Sequence, residues 1–419
     1  MRWIIIMGLL LMSELLKGQE SAGSVDTLQT SAFEPRDWGS AVIPLAQGLA
    51  ATAGSSRFRE RGAVFARHGS PLWEYGPGVA PLATTWVLKS AGVESRSTTR
   101  RMALAQLTGL GLQTGLSQLL KHTVCEVRPD GSDDESFPSG HSSLAFFCAT
   151  VLDYEYGHHS PWISVGGYSL AVLTQFRRIH HNRHYVNDVV TGAGIGILSA
   201  HLGYFITDRL FRVRGERQAT MCCGDSQFLA KYNHRPTSLS LSSGLLYGYN
   251  GIPHHLYDVS EDARLCHLRT TVGYSTSLTY DYFLDSHWAV ETMGMLSQYK
   301  VQALSERKEE RSEVNGNNLY QYHLTLGGLY SLTIGRQSRL GVRAFAGGRF
   351  SPGVAFKGPD GETAVRLKSR NDFEYGCGLN YELSGSSRYV SGLSCDYIHA
   401  CSPLLRSRWQ LGTYWRIML

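Results

Sequence analysis

The pattern of apolar residues changes near residue 238, and this change constrains the fold more than any other feature of the chain. Before it, apolar residues come in stretches of helical length; after it, apolar and polar residues alternate with period two. From Tyr320 to Ile334, every even position except Gly328 is apolar, and many odd positions are polar. Such alternation is typical of strands with one buried face. The sequence therefore predicts two domains, an all-α helical bundle followed by an antiparallel β-structure.

Six moderately apolar stretches in the first half have the length of helices. The third carries polar residues in its middle, among them Gln106, Gln113 and Gln118, which would be costly in contact with lipid. Only the last has the length and apolarity of a convincing membrane span. We therefore expect mostly buried-core helices or shallow membrane helices. The stretches are 40–53, 79–91, 101–120, 141–154, 162–176 and 188–206.

Alternation in the second half predicts eight strands. The connections after the first, third, fifth and seventh strands are longer or more polar, whereas those after the second, fourth and sixth are short. This asymmetry is typical of a bacterial outer-membrane β-barrel, in which the short turns face the periplasm. Because the first strand starts on the short-turn side, the helical domain is predicted to be periplasmic. The predicted strands are 238–249, 265–282, 286–302, 319–334, 338–350, 371–383, 387–399 and 407–419.

Charged residues of these strands fall on the polar phase, so they would project into the lumen of a barrel. Eight strands leave room only for packed side chains, so a lumen filled by paired charges predicts no transport. Cys377 and Cys395 fall on the apolar phase and are interpreted as small hydrophobic residues. The alternative is a soluble antiparallel barrel or sandwich. The charged residues are Arg269, Asp281, Arg343, Arg349, Glu374, Glu382, Asp396 and Arg416.

Both ends of the chain carry patterns related to export. Arg2 followed by the apolar run 3–12 predicts a secretory signal peptide, with a retained anchor helix as the alternative. Residues 410–419 resemble the terminal strand that the outer-membrane assembly machinery recognises, although such strands usually close with an aromatic residue rather than Leu419. The predicted divisions are a signal peptide at 1–18, a helical domain at 19–215, a linker at 216–236 and an eight-stranded barrel at 237–419.

Composition excludes several classes of function. The chain has 40 basic and 35 acidic residues and a formal charge of +5, which does not suit a strongly basic nucleic-acid binder, so no nucleic-acid partner is expected. An apolar content of 42% excludes a disordered chain. The eight cysteines show no metal-binding spacing, and no metal or other cofactor is expected.

Three motifs in the helical half concentrate charged and titratable residues. The cations Lys121, Arg128 and Arg178, if brought together, would bind a multiply charged oxyanion, for which arginine offers paired donors and lysine a point charge. Ser139 and Gly140 precede an apolar stretch, so their backbone amides would lie at a helix N-terminus, which attracts anions. Phosphate is the expected ligand. The motifs read KHTVCEVRP at 121–129, FPSGH at 137–141 and RRIHHNRHYVND at 177–188.

Two histidines supply the groups that phosphoryl transfer needs. His184 and Asp188 are four residues apart, so on one helix face the carboxylate would hold one imidazole nitrogen and leave the other free to attack phosphorus. His141 would protonate the departing oxygen as a general acid. With three cations, these groups suffice for phosphoryl transfer without a metal, because the catalysis is mostly positioning and charge stabilisation. The acidic stretch 130–135 is left outside the site, except that it could gate access.

The three motifs resemble those of the type 2 phosphatidic acid phosphatase superfamily, which includes lipid phosphatases, bacterial class A acid phosphatases and vanadium haloperoxidases. The resemblance implies a helical bundle and hydrolysis through a phosphohistidine. Arg177 stands where the family usually has serine. Carried over by position, the resemblance implies that His184 is the nucleophile, Asp188 its orienting partner, His141 the general acid, and Lys121, Arg128, Ser139, Gly140 and Arg178 the phosphate ligands.

We therefore expect a metal-independent phosphatase that acts on a lipid phosphomonoester or pyrophosphate, such as lipid A 1-phosphate, undecaprenyl pyrophosphate or a phosphatidate-type lipid. The alternatives are a non-specific periplasmic acid phosphatase, a vanadate haloperoxidase, and a structural barrel or adhesin with a degenerate enzyme domain. The expected location is the outer membrane, with the phosphatase domain in the periplasm; the inner membrane is the alternative. No role is assigned to the long loops 250–264, 303–318 and 351–370.

Overall fold

The structure is a computed structural model, and it describes two main parts of the chain. It describes residues 71–129, 131–211, 237–248, 251–259, 266–270, 272–299, 301–305, 318–334, 338–357, 363–384 and 389–418, with a few residues between 41 and 49. The signal peptide predicted at 1–18 and the linker predicted at 216–236 lie outside the described residues. The domain boundaries therefore stay predictions.

Five long helices form the described part of the helical domain, and each overlaps one of the stretches predicted from residue 79 onward. Two of them begin at serine caps: Ser139 Oγ accepts a hydrogen bond from Ser142 N at 3.4 Å, and Ser160 Oγ accepts one from Trp162 N at 3.3 Å. The helices are α1 Pro71–Ser90, α2 Thr99–Val124, α3 Gly140–Tyr156, α4 Pro161–His180 and α5 Val186–Leu210.

Helices α3 and α5 pack backbone to backbone and run parallel. A Cβ atom at Gly192 would lie 2.7 Å from the carbonyl oxygen of Ser139, and one at Gly196 would lie 2.1 Å from that of Ser143. These distances are too short for any larger residue, so glycine at both positions is what lets the two helices approach. The N-terminal ends of α3 and α5 are thereby placed side by side.

Some polar residues within the helices bond to neighbouring helices. Trp86 Nε1 donates to Gln106 Oε1 at 2.8 Å, and Gln113 Nε2 donates to Ser143 Oγ. Gln118, in contrast, is exposed. Among the described residues one helix, α5, is long and apolar enough to cross a bilayer, and most of it is buried within the protein.

Eight strands of the second domain form a barrel. They are β1 Thr237–Gly248, β5 Gly273–Phe283, β6 Trp288–Tyr299, β8 Leu319–Thr333, β9 Ser338–Ser351, β12 Arg370–Ser384, β13 Tyr389–Ala400 and β14 Ser407–Met418. They close into an antiparallel barrel in the order β1-β14-β13-β12-β9-β8-β6-β5, which confirms the predicted fold class. The others are β2 Gly251–Ile252, β3 Tyr257–Val259, β4 Cys266–Thr270, β7 Val301–Ser305, β10 Val354–Lys357 and β11 Thr363–Leu367.

One predicted strand is in fact two. Residues of β4 pair with β2 and β7 outside the barrel, and the barrel strand β5 begins only at Gly273. The prediction that Arg269 faces the lumen is therefore wrong. Alternation marks any strand with one buried face, but it does not tell which sheet the strand joins.

The two ends of the barrel differ as predicted. The connections 284–287, 334–337 and 385–388 are short and define the short-turn end, where β1 begins and β14 ends. The connections after β1, β6 and β9 are long and contribute to two small sheets, β2-β4-β7 and β10-β11-β3. The connection 401–406 lies at the same end, here named the long-loop end.

Charged residues of the barrel meet across its interior. Arg343 on β9 contacts Asp396 on β13 at 2.6 Å and Glu291 on β6 at 3.0 Å, and in each case the contact passes over an intervening strand. Arg416 on β14 likewise reaches Asp281 on β5 at 3.2 Å. Contacts that skip a strand require side chains on the concave face, so these residues point into the lumen and fill it.

Candidate active site

The predicted site residues come from one end of the helical domain. Lys121 lies in the last turn of α2, and Arg178 lies in the last turn of α4. Gly140 and His141 open α3, and Asp188 lies in the first turn of α5. Because α2 and α4 run antiparallel to α3 and α5, these termini meet at the same end of the bundle.

Electrostatic interactions show that the two histidines and three cations share one region. The pKa of His141 is lowered to about 2, mainly by burial, with contributions from His184 and from the three cations Arg178, Arg128 and Lys121. Burial also puts the pKa of His184 well below its ordinary value, helped by the same three cations. Cations of the first and third sequence motifs therefore act on both imidazoles.

His184 is held by a backbone carbonyl. Its side chain is buried, and its Nδ1 lies 2.8 Å from the carbonyl oxygen of Ser136. A carbonyl oxygen only accepts hydrogen bonds, so Nδ1 carries the proton and Nε2 carries the lone pair. This tautomer is the one that a nucleophilic Nε2 needs.

Asp188 contacts His184 less directly than the spacing predicts. Its Oδ2 lies 3.6 Å from His184 Nδ1, beyond hydrogen-bond distance, and instead accepts bonds from Ser136 Oγ at 2.5 Å and Tyr185 N at 2.9 Å. In addition, Ser139 N donates to the carbonyl oxygen of Asp188 at 3.0 Å. Asp188 therefore holds the loop that carries Ser136, and Ser136 holds the imidazole.

Sequence reasoning missed Ser136 and Tyr75. Ser136 precedes the FPSGH motif directly, but its main contact is through a backbone carbonyl, which the side-chain pattern does not report. Tyr75 on α1 lies against His141, with ring centroids 4.4 Å apart. His141 Nε2 is buried and has no hydrogen-bond partner among the described residues, so it is available to a ligand.

The start of α3 leaves space for a ligand. Ser139 is the N-cap, and a Cβ atom added to Gly140 would meet no other atom within 4 Å. The first backbone amides of a helix have no partner within that helix and bind anions. The position of Gly140 is therefore suited to a phosphate oxygen.

The acidic loop contacts two of the three cations. Arg128 Nε lies 2.5 Å from Asp133 Oδ1, and Lys121 Nζ lies 4.0 Å from Glu135 Oε2 and donates to the Glu135 carbonyl oxygen. Burial favours a higher pKa of Asp133, but the backbone hydrogen bond from Glu135 and the charge of Arg128 lower it overall. The acidic loop therefore lies against two of the cations predicted to bind phosphate.

Among the described residues, no group of three or more His, Cys, Asp or Glu side chains is placed to hold a metal ion. Arg177, which stands at the usual serine position, is half-buried on α4.

Comparisons with known proteins identify the helical region. Residues 102–212 match the PAP2 superfamily. Lipid A 1-phosphatase of Porphyromonas gingivalis is 41% identical over 135 residues, which cover 32% of this chain and 30% of that protein. Phosphatidylglycerophosphatase B of Bacillus subtilis is 31% identical over 124 residues, which cover 26% of this chain and 61% of that protein. The chain therefore spans less than two thirds of the length of either relative.

Two solved structures are each similar to less than half of the chain. The PAP2-type phosphatidylglycerolphosphate phosphatase of Bacillus subtilis matches at a TM-score of 0.31 and 21% identity, covering 43% of this chain and 99% of that chain. The Yersinia pestis attachment protein Ail matches at a TM-score of 0.25 and 17% identity, covering 43% of this chain and 98% of that chain. From the motifs and the sequence comparisons, residues 102–212 form a PAP2 superfamily domain.

Proposed function

We propose that the protein is a metal-independent phosphatase that hydrolyses a lipid phosphomonoester or pyrophosphate through a phosphohistidine at His184. The observation that carries this proposal is the convergence of two imidazoles and three cations at one end of the helical bundle. Cations in a partly desolvated pocket stabilise the charge of a phosphoryl group in the transition state.

In the first step, His184 Nε2 bonds to phosphorus as the bond to the leaving oxygen breaks, and His141 gives that oxygen a proton. In the second step, water attacks phosphorus, His141 takes a proton from the water, and the phosphorus–nitrogen bond breaks to release inorganic phosphate. His141 is neutral in the empty pocket, because its pKa is lowered to about 2 by burial and by the cations. A bound phosphate dianion offsets the cations, so substrate raises that pKa and protonates the acid where it is needed.

Two observations support a lipid substrate. The names of both sequence relatives describe phosphatases of lipids. The outer wall of the barrel presents large apolar side chains, including Tyr322, Leu324 and Leu326, which are 50%, 66% and 61% exposed. Apolar residues outside and charges inside are the arrangement of a barrel that spans the outer membrane. The proposal thus includes the membrane as a partner, and biogenesis through the outer-membrane assembly machinery.

The test uses purified full-length protein in detergent with a lipid phosphomonoester or lipid pyrophosphate in the presence of a chelator. We expect phosphate release, inhibition by vanadate, and a loss on the order of a thousandfold or more in His184→Ala. His122→Ala changes an exposed histidine near the end of α2 and serves as the matched control. Undiminished phosphate release by His184→Ala would exclude the phosphohistidine route. Lipid mass spectrometry of cells with the wild-type or His184→Ala protein then identifies the head group.

A further inference from the structure

The helical domain packs against the outside of the barrel wall. Trp415 on β14 is buried between helices, with its ring centroid 5.2 Å from that of Phe146 on α3 and 6.0 Å from that of Tyr168 on α4. Its neighbour Arg416 points into the lumen, so Trp415 points outward. In an outer-membrane barrel this outer face lies at the level of the lipid tails.

Helix α4 runs along this wall from one end of the barrel toward the other. Tyr168, in its first half, contacts Trp415 near the end of β14, which is the short-turn end. Gln175 Oε1 accepts a hydrogen bond from the hydroxyl of Tyr274 at 3.1 Å, and His180 lies against Tyr320 with ring centroids 5.9 Å apart. Tyr274 and Tyr320 are the second residues of β5 and β8, and both strands start at the long-loop end. Helix α4 therefore ends at the long-loop end.

The end of the helical domain and the start of the barrel are placed as this direction of α4 along the barrel wall requires. Helix α5 runs antiparallel to α4, so it begins at the long-loop end and finishes at Leu210 near the short-turn end. Strand β1 starts at the short-turn end with Thr237. The last described residue of α5 and the first residue of β1 therefore lie toward the same end of the barrel. The pocket, formed at the end of α4 and the start of α5, lies at the opposite end.

Between their ends, the described helices expose uncharged side chains, most of them apolar; Thr114 and Gln118 of α2 are exposed polar exceptions. Among the described side chains of the five helices, every exposed or half-buried Asp, Glu, Lys or Arg lies within four residues of a helix terminus. Large apolar residues such as Val87, Leu119 and Leu173 are exposed between those termini. Charged side chains are costly in the hydrocarbon layer and are concentrated at its borders in membrane proteins.

We propose that the helical domain lies beside the barrel in the outer membrane, with its pocket at the long-loop end, so that its substrate is the phosphate headgroup of an outer-leaflet lipid. Because the long loops of outer-membrane barrels face the cell exterior, a pocket at the long-loop end would open to the outside of the cell. The inference rests on the proposed function, from which it takes the phosphatase activity and the position of the barrel in the outer membrane. It differs from the sequence-based prediction that the domain is periplasmic, because a periplasmic domain would expose neither end of its helices to the cell exterior.

The test is cysteine labelling of intact cells with a maleimide–polyethylene glycol too large to pass porins. Cys125 is exposed just after α2 at the pocket end, Ser90 is exposed at the far end of α1, and Cys401 is exposed in the 401–406 connection. Three proteins are compared, each with one cysteine: native Cys125, native Cys401, or Ser90→Cys. The remaining cysteines are replaced by serine or alanine.

We expect Cys401 and Cys125 to be labelled on intact cells, and Ser90→Cys to be labelled only after the cells are broken. Labelling of Ser90→Cys on intact cells, or protection of Cys125 until lysis, overturns the placement. Phosphate release by the same purified proteins is measured separately. If phosphate release is absent while the labelling pattern is as expected, the proposed function fails and the placement stands. If phosphate is released but Ser90→Cys is labelled on intact cells or Cys125 is protected, the proposed function stands and the placement is rejected.

Discussion

The pocket of the helical domain and the lumen of the barrel both bury arginines, but they partner them differently. In the lumen, Arg343 and Arg416 each contact two carboxylates that are almost fully buried on the strands. In the pocket, the carboxylates that reach Arg128 and Lys121 belong to a loop, and the Asp133 and Glu135 side chains are 42% and 47% exposed. The lumen pairs are permanent parts of the fold, whereas the pocket pairs are open to exchange for a ligand anion.

This difference explains why paired charges can stabilise the fold in the lumen, whereas the cations of the pocket can bind a ligand. A buried charge with a fixed partner holds neighbouring elements in register, and its removal leaves the partner uncompensated. The pocket cations are paired with carboxylates of a partly exposed loop, and such surface ion pairs are weak. Replacing those carboxylates with a phosphate therefore costs little interaction energy. Four substitutions or conditions test the distinction, and the largest expected effect concerns the lumen.

Arg343→Ala should lower the free energy of unfolding of the barrel by about 3–5 kcal/mol, because Asp396 and Glu291 stay buried without their cation. The measurement is urea unfolding of the protein in detergent micelles. Arg406→Ala, an exposed arginine in the 401–406 connection, is the control. Equal unfolding midpoints for both variants would mean that the lumen pairs do not hold the barrel.

Arg178→Ala should lower the rate of phosphate release by on the order of a hundredfold to a thousandfold, the usual cost of removing one group that stabilises transition-state charge. It should cost less folding stability than Arg343→Ala, because only Arg343→Ala leaves Asp396 and Glu291 of the lumen without their shared cation. Arg177→Ala, its half-buried neighbour, should keep most of the activity. A stability loss in Arg178→Ala as large as that in Arg343→Ala contradicts the comparison.

Asp133→Asn should strengthen binding of inorganic vanadate by about fivefold, equivalent to about 1 kcal/mol, because Arg128 is then released from an exposed ion pair. The inhibition constant for phosphate release measures this effect. Asp134→Asn, an exposed neighbour in the same loop, should leave the constant unchanged. Weaker vanadate binding in Asp133→Asn would show that the loop supports the site rather than competing for it.

Binding of sulfate, a tetrahedral dianion of fixed charge, should tighten as the pH falls from about 8 to about 5. In the empty pocket, burial and nearby cations lower the pKa of His141 to about 2, and a bound dianion offsets those cations and raises it. The complex then binds more protons than the free protein, so acid favours the complex. Each proton taken up gives at most about a tenfold change in affinity per pH unit. Calorimetric titration measures the change, which should be smaller in His141→Ala; an affinity independent of pH contradicts the prediction.

Local patterns predicted much of the barrel and the composition of the site. Alternation located the eight barrel strands, because a period of two along a strand follows from the pleat alone. The phase of Asp281, Arg343 and Asp396 correctly predicted side chains in the lumen. Arg269 was assigned wrongly, because β4 has the same alternation but pairs with β2 and β7.

In the site, the sequence motifs predicted charged and titratable groups that lie close together, but not all of their contacts. A separation of four residues between His184 and Asp188 is consistent with one helix face, yet His184 precedes the helix, and the nearer acceptor is the carbonyl oxygen of Ser136. That contact joins residues 48 apart in the chain. It depends on how the loop before α3 lies against the start of α5, which no local pattern specifies.

The sequence by itself determined the order of the two domains, the number of barrel strands and the residues offered to a phosphate, because each of these follows from periodicity or residue chemistry within a short segment. The tertiary structure decided which group holds His184 and which face of the barrel receives the helices. Leu241, Trp415 and Tyr274 look like other outward apolar positions of their strands, and only the packed helices distinguish them from residues that stay exposed on the outer wall. Contacts between distant segments depend on the complementary shapes of whole surfaces, and a linear pattern does not contain them.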